Sequence, residues 1–376
     1  MHRLVYIGGF LGALACSSKT GSSLIDDTAE KTTHTGEDTP FETGDSGFDD
    51  GRIWPGEQWV EGDPETYGVD TTALERLQEY VFRSNHNSQA LIVIKDGVLV
   101  GEFYSDKRNK DSLVTTWSVA KSLLSALYGV GIREEVLDLD QSIGSYITEW
   151  STGPNTDVTI RHLLEMRSGM EPNESNPNGL YGDTKDQLAY SLDRTVEWTP
   201  GQSFNYVNED SMVLGEVLSR AFEKDFDHLA TTELFEPLGM EAVWWKDNAD
   251  HTLSYCCIDT TARDLARFGL LFSRDGSWKG QQLIPSDFVN ESTREVGNGT
   301  YYGLHWWTFG KVFAALGYDG QYLYVYPKKD LVVLRFGNYT KEGKDAIRRG
   351  GNWHNTDDSG DMDGNRLYSL VVELVD

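Results

Sequence analysis

The sequence predicts an α/β chain of the α+β kind. An antiparallel sheet flanked by helices is built from both ends of the folded body, with a mostly helical lobe inserted between. Two hairpins and the stretch separating them carry this reading. QALIVIKDGVLVGEFY (89–104) is a pair of apolar, β-rich runs around Asp96-Gly97, a dipeptide suited to the left-handed turn of a tight hairpin. QYLYVY (321–326) and LVVLRF (331–336) flank residues 327–330 in the same way. From about 131 to 250 the pattern is helical segments joined by long loops. Strands at both ends and helices in the middle imply one sheet assembled from distant parts of the chain.

Ahead of this body, residues 1–15 read as a secretion signal: Arg3 supplies a positive start and an apolar run follows. The run is shorter than the about 18 residues that a membrane-spanning helix needs. Its ending, GALAC, resembles a bacterial lipobox, in which cleavage leaves the cysteine at the new N-terminus carrying lipid; Ala13 stands where Leu is usual. Cys16 is therefore the expected lipidation site, and the protein is expected to be exported and anchored to the cell envelope, facing the periplasm or the exterior. Residues 16–52 are dominated by Ser, Thr, Gly and acidic side chains and cannot bury enough apolar surface to offset the entropy of ordering. They read as an acidic tether, and residues 53–376 as a single folded domain with its helical lobe at about 131–250.

The whole chain carries 33 basic against 60 acidic residues, a net charge of −27, which repels the phosphates of nucleic acids. No nucleic-acid partner is expected. The histidines lack the close spacing of a zinc site, so neither a metal nor a cofactor is expected. Beyond Cys16 the cysteines are Cys256 and Cys257, adjacent in the chain. A bridge between neighbours is sterically awkward, and two buried thiols are the expected state.

Within the body, Leu74, Leu77 and Val81 share one face of a helix over 70–82, with Asp70 or Thr71 as its cap. A second helix is expected over 115–130, capped by Thr115 or Thr116, with Val119, Leu123, Leu124, Leu127 and Val130 as its buried stripe. The loop 171–186 is turn-rich and suited to covering a cleft. Residues 259–274 form a further helix ended by Asp275-Gly276, and the closing LYSLVVELV (367–375) reads as a helix in this context.

The chemistry lies in TTWSVAKSLL (115–124). Ser118 is the one serine followed three residues later by a lysine, Lys121. One turn apart near a helix start, the two share a face where the helix dipole favours negative charge, although a pair of solvated residues satisfies the same spacing. PGQSFNYVN (200–208) adds Tyr206 and Asn208, a hydroxyl able to relay a proton and an amide able to hold both a lysine and a substrate carbonyl.

Together with VTIRHLLEMRSGM (158–170), LFEPLGM (234–240), TARDLARFGLLF (261–272) and GYDGQYLYVYP (317–327), these stretches resemble the β-lactamase/transpeptidase-like serine hydrolases. The likeness is to the class C-like branch that includes esterases and 6-aminohexanoate-dimer hydrolases. It runs in family order over roughly 55–376. It implies Ser118 as the acylated nucleophile, Lys121 as its activating partner, Tyr206 as general base and then acid, and Asn208 as an orienting group. It also implies an oxyanion hole from the backbone N–H groups of Ser118 and Gln321. The substrate-binding third motif falls at Tyr318-Asp319-Gly320, where relatives that act on β-lactams carry Lys-Thr-Gly or Lys-Ser-Gly. With the lysine replaced by Tyr318 and Asp319 beside it, an anchor for substrate carboxylates is missing.

The expected activity is hydrolysis of a small ester or amide through an acyl-enzyme on Ser118. A peptidoglycan D,D-peptidase or β-lactamase is the alternative, and a non-catalytic binding protein keeping the fold is another. If Cys16 is the membrane anchor, Cys16→Ser should move the protein into the soluble fraction on cell fractionation. Persistent membrane association in that variant would require a different anchor.

Overall fold

The computed structural model describes residues 50–171, 180, 184–297, 299–337 and 362–376. All of them belong to one compact unit, Gly47–Asp376. The signal segment, Cys16, nearly all of the acidic tether and most of the 171–186 loop lie outside the described residues.

The described strands are β1 (Ser88–Lys95), β2 (Val98–Tyr104), β3 (Val114–Thr115), β4 (Ala242–Trp244), β5 (Ile258–Thr260), β6 (Ser277–Trp278), β7 (Gln281–Gln282), β8 (Trp307–Phe309), β9 (Val312–Gly317), β10 (Gln321–Tyr326) and β11 (Leu331–Gly337). Six of them form an antiparallel sheet in the order β2-β1-β11-β10-β9-β8. The β1–β11 pairing joins the two ends of the body, with Ile92 opposite Leu334. Both expected hairpins form. Asp96 and Gly97 turn the first with φ of 54° and 80°. At the second, Asp330 adopts φ 41°, and its carboxylate takes hydrogen bonds from Ser273 and Arg274.

Helix α1 (Thr71–Val81) is capped by Asp70, whose carboxylate accepts from the Ala73 N–H at 2.9 Å. The remaining α-helices among the described residues are α2 (Ala120–Arg133), α3 (Ile160–Leu164), α4 (Gln187–Leu192), α5 (Asn208–Phe222), α6 (Phe226–Ala230), α7 (Glu236–Leu238), α8 (Ala262–Ser273), α9 (Ser286–Ser292) and α10 (Gly364–Glu373). The period of two along β1 divides the core between the faces of the sheet. Leu91 and Val93 pack with Leu74 and Leu77 of α1 and Leu367 and Leu370 of α10. Ile92 and Ile94 join a larger cluster with α2, α5 and α8. The closing segment is the helix the sequence suggests, because its apolar residues at 367, 370 and 371 cover that first face.

Three local expectations change, the simplest being that the helix read over 259–274 runs only from Ala262 to Ser273, because Asp259 and Thr260 pair as part of β5. The helix over 115–130 begins only at Ala120. Val114–Thr115 pair with β5 as a strand, and Trp117–Val119 form a single tight turn. The threonines do not cap it: Thr116 instead accepts from the Ile258 N–H at 3.2 Å. Tertiary pairing has overridden local preference here. The buried stripe is also wider than the pattern implies, for α2 is buried on all sides from Ala120 to Gly131. Gly129 lets Ile284 and Phe288 approach where a methyl group would collide.

The third change concerns the cysteines. Cys256 and Cys257 are joined as a disulfide, not kept as thiols. Adjacency holds their Cα atoms 3.7 Å apart, and Cys257 takes a left-handed φ of 71°, a turn of the chain that the steric objection overlooks.

One buried cation pins the sheet to the turn at 318–320. The Arg335 guanidinium on β11 donates to the carbonyls of Asp319 (2.9 Å), Gly320 (2.7 Å) and His86, and to Ser88 Oγ. Gly320, at φ 74°, has no Cβ to obstruct that guanidinium. Arg335→Leu removes the donors and strands buried carbonyls, each costing about 1–3 kcal/mol. Urea denaturation should register a loss of roughly 3 kcal/mol or more; a variant as stable as wild type would show that water replaces the guanidinium.

Candidate active site

The site is assembled where the turn before α2 meets the start of α5, the loop before β5 and the β9–β10 connection. Trp117 holds a left-handed φ of 49°, and its carbonyl accepts from the Cys257 N–H at 3.3 Å. This strained residue, costing on the order of 1–3 kcal/mol, sets the direction of Ser118. Lys121 follows on the first turn of α2, its side chain buried inside the protein. Tyr206, just ahead of α5, and Asn208, its first residue, arrive in position because the segment before them is tied back to the turn after α3: Asn205 N–H donates to the Met166 carbonyl at 2.8 Å.

The Lys121 Nζ lies 3.2 Å from Ser118 Oγ, 2.7 Å from Asn208 Oδ1 and 2.7 Å from the Tyr255 carbonyl. It also sits 5.0 Å from the centroid of the Tyr206 ring. Tyr206 is hydrogen-bonded to Ser118. All four residues singled out in the sequence therefore converge on one point. Burial pushes the Lys121 ammonium down to about 7, opposed by the Glu209 carboxylate. Burial likewise pushes the Tyr206 hydroxyl up to about 12, opposed by its hydrogen bond with Ser118. At neutral pH the group within reach of deprotonation is thus the lysine, while Tyr206 keeps its proton. A neutral Lys121 has a lone pair for the Ser118 proton, and Tyr206 can pass a proton across the same short gap.

Several supporting residues give no signal in the sequence. Tyr255 contributes a main-chain carbonyl, and its ring centroid lies 5.7 Å from Lys121 Nζ. His305 is pushed down to about 3 by burial and the nearby Lys121 charge, so it stays neutral. With Nδ1 donating to the Leu164 carbonyl and Nε2 accepting from Ser211, it acts as scaffold. Ser122 and Ser125 of α2 donate to the carbonyls of His305 and Leu304, fixing that loop to the helix. Aromatic walls flank the site: Tyr206 stacks on Trp307 at 6.0 Å, and Tyr318 meets Trp117 edge-on at 5.8 Å.

The third motif departs from expectation. Gln321 is fully buried, its N–H closes the turn onto the Tyr318 carbonyl, and its amide bonds to the backbone of Gly337. The backbone beside Ser118 N is that of Gly317, so close that a Cβ there would lie 3.3 Å from it. Gln321 lines the same approach, its Cβ 3.0 Å from where a Gly317 Cβ would stand. Asp319 is buried at 5 % exposure in a left-handed conformation, φ 56°, with the Arg335 charge beside it. Its carboxylate is set into the turn rather than into open cleft.

One grouping not visible as spacing is Asp186, Asp247 and His251, whose ligand atoms lie within 4.8 Å of one another. Both carboxylates already serve the backbone: Asp186 caps α4, and Asp247 accepts from the N–H groups of Gln187 and His251.

An antiparallel sheet beside a central helix, with a buried lysine on the helix's first turn and a half-buried serine just before it, is the arrangement of the beta-lactamase-like fold. Solved structures with this fold cover most of the chain. The "Putative 6-aminohexanoate-dimer hydrolase from Bacillus anthracis" superposes with a TM-score of 0.65 at 22% identity, over 86% of each chain. EstCE1, described as a hydrolase with promiscuous acyltransferase activity, gives 0.65 at 12% identity, over 83% of this chain and 99% of that one. The model of the Beta-lactamase family matches residues 75–357. The chain belongs to that family. Among curated proteins, an Escherichia coli (strain K12) "Putative D-alanyl-D-alanine carboxypeptidase" is 23% identical across 48% of this chain and 49% of its own length. A D-aminopeptidase of Gluconobacter oxydans (strain 621H) is 32% identical over 17% of this chain and 12% of its own. The match thus spans about half the length of the first of these relatives and much less of the second.

Because Lys121 sits near 7, kcat/KM should rise with pH and level off above about 7 as its proton leaves. Lys121→Ala should remove that limb and lower kcat/KM by about 10²–10⁴-fold. A profile with the same limb in the variant would assign the titration to another group.

Proposed function

We propose that this member of the beta-lactamase family is an exported serine hydrolase that cleaves small esters or amides through an acyl-enzyme on Ser118. The observation that carries the reading is the contact set at Lys121, which meets Ser118, Asn208 and the Tyr206 ring in one buried pocket. Neutral Lys121, with Tyr206 as relay, takes the Ser118 proton as Oγ attacks the substrate carbonyl. The oxyanion is held by the Ser118 N–H, with the Gln321 N–H as the second donor that the family resemblance implies. Collapse of the tetrahedral intermediate releases the alcohol or amine, which receives the proton, and water repeats the sequence to free the acid. Asn208 keeps the lysine in place throughout.

Tyr318 in the lysine position leaves no cation there for a substrate carboxylate, which favours neutral or amine-bearing substrates over β-lactams and peptidoglycan stems. Asp319 adds less repulsion than its charge alone suggests, because Arg335 partly compensates it. The peptidase and carboxypeptidase names among the relatives favour the second reading of a D,D-peptidase. The third motif weighs against it. Export rests on the signal-like start and on the disulfide, which suits an oxidising compartment.

A fluorophosphonate probe should label Ser118 in wild type, and Ser118→Ala should lose labelling and turnover while melting at a similar temperature. Full turnover in that variant sinks the mechanism. For substrate class, kcat/KM should favour a neutral ester over an anionic analogue of similar size, and Tyr318→Lys should narrow the gap. A wild type that already prefers the anion would turn the assignment toward the peptidase reading.

A further inference from the structure

The turn that carries Cys256 and Cys257 is built around Lys121. Its Tyr255 carbonyl takes a hydrogen bond from Nζ at 2.7 Å. Two residues on, the Cys257 N–H donates to the Trp117 carbonyl, immediately before the nucleophile. The turn is tied on its other side as well: Trp244 Nε1 donates to the Cys256 carbonyl at 2.9 Å, and the Trp245 N–H donates to the Cys257 carbonyl at 2.9 Å.

Trp117 and Cys257 are both left-handed non-glycine residues, and they are hydrogen-bonded to each other. Such conformations persist only where the surroundings over-determine them. At Cys257 the restraint includes a covalent ring, since the disulfide closes on the next residue in sequence. Loop-closure stabilisation grows with the number of residues enclosed, so a ring this small contributes little by restricting the unfolded chain. What it restrains is the local turn.

Resting on the reading of Ser118 and Lys121 as the catalytic pair, we propose that the Cys256–Cys257 disulfide is a positioning device. It locks the turn that presents the Tyr255 carbonyl to Lys121 and the Cys257 N–H to Trp117. Opening it yields two thiols: a dithiol supplies two electrons and two protons and becomes a disulfide, whereas a phosphine supplies two electrons, water the two protons, and the phosphine oxide leaves with the water oxygen. The ring is lost, and Cys257 is released from its left-handed conformation. The consequence is a Lys121 amine less well aligned with Ser118. The fold as a whole is spared.

The test begins with wild type denatured in iodoacetamide, without and with prior phosphine treatment. Cys256 and Cys257 should resist alkylation until reduced; free thiols at these two positions in untreated protein, mapped apart from Cys16, overturn the proposal. Cys256→Ala, Cys257→Ala and the double variant should each lose kcat by about 10-fold or more, with KM little changed, since small misplacements of a reacting group are costly. Melting temperatures should stay within a few degrees of wild type. The three losses should be equal, because removing either sulfur removes the same bond. Additive losses would assign the effect to side-chain packing and overturn the proposal. The alkaline plateau should also begin at lower pH, because a carbonyl that favours the charged lysine has moved away. If the variants do not fold, folded wild type is reduced by phosphine and then reoxidised. Activity should fall as alkylatable thiols appear and return as they vanish, and activity that ignores the thiol state refutes the idea. Fluorophosphonate labelling of wild type at Ser118 separates the two claims. Its absence overturns the catalytic reading itself, whereas equal labelling rates in wild type and the cysteine variants overturn only the role of the disulfide.

Discussion

Burying one ammonium is the constraint around which this protein is organised. Lys121 sits inside the body with 1 % of its surface exposed, and desolvation of a charge costs several kcal/mol unless it is neutralised or hydrogen-bonded. The structure answers in both ways. Its protonated form has acceptors in Ser118, Asn208 and Tyr255, and its proton is held weakly enough to leave near neutral pH. A lysine that is satisfied in both states is a lysine that can exchange a proton with a serine at low cost.

Everything close to the site serves that burial. Helix α2 is enclosed on all sides, so its first turn cannot shift without disturbing the core, and its Ser122 and Ser125 hold the loop that carries His305. Tyr128, further along, donates to the Leu214 carbonyl and keeps α5 alongside, which is how Asn208 comes to face Lys121. Beneath α5, the Arg194–Asp210 ion pair at 2.8 Å is itself fully enclosed. On the sheet side, Arg335 fixes the turn that closes the other wall of the cleft. These polar contacts among apolar packing give the site its one geometry, because each would be left unsatisfied by a small displacement.

The third motif illustrates how a change of residue type alters the electrostatics without dismantling the frame. Gly317 and Gly320 preserve the close backbone approaches to Ser118 and Arg335. Tyr318 adds an aromatic edge against Trp117 where relatives that act on β-lactams present an amine. Asp319 is absorbed by the left-handed turn and the buried guanidinium.

Local chemistry made much of this legible in advance. Asp96-Gly97 dictates a hairpin wherever it stands between apolar runs, and Asp70 caps a helix with its own carboxylate. Alternation along β1 determines which side chains face each layer. Ser118, Lys121, Tyr206 and Asn208 were visible as residue types at family spacing. The rest depended on partners remote in sequence. Whether residues 114–115 extend a helix or pair as a strand is decided by β5, more than 140 positions away by the Thr116–Ile258 contact. The Tyr255 carbonyl has no side-chain signature, because any residue offers one. The disulfide depended on the backbone turn at Cys257, the inward orientation of Gln321 on the Gly337 backbone, and that of Asp319 on Arg335. The sequence by itself determined the elements and the reacting groups, since both follow from short-range periodicity and side-chain chemistry. Only the tertiary structure decided which backbone atoms face them, since that requires the folded core to bring distant segments together.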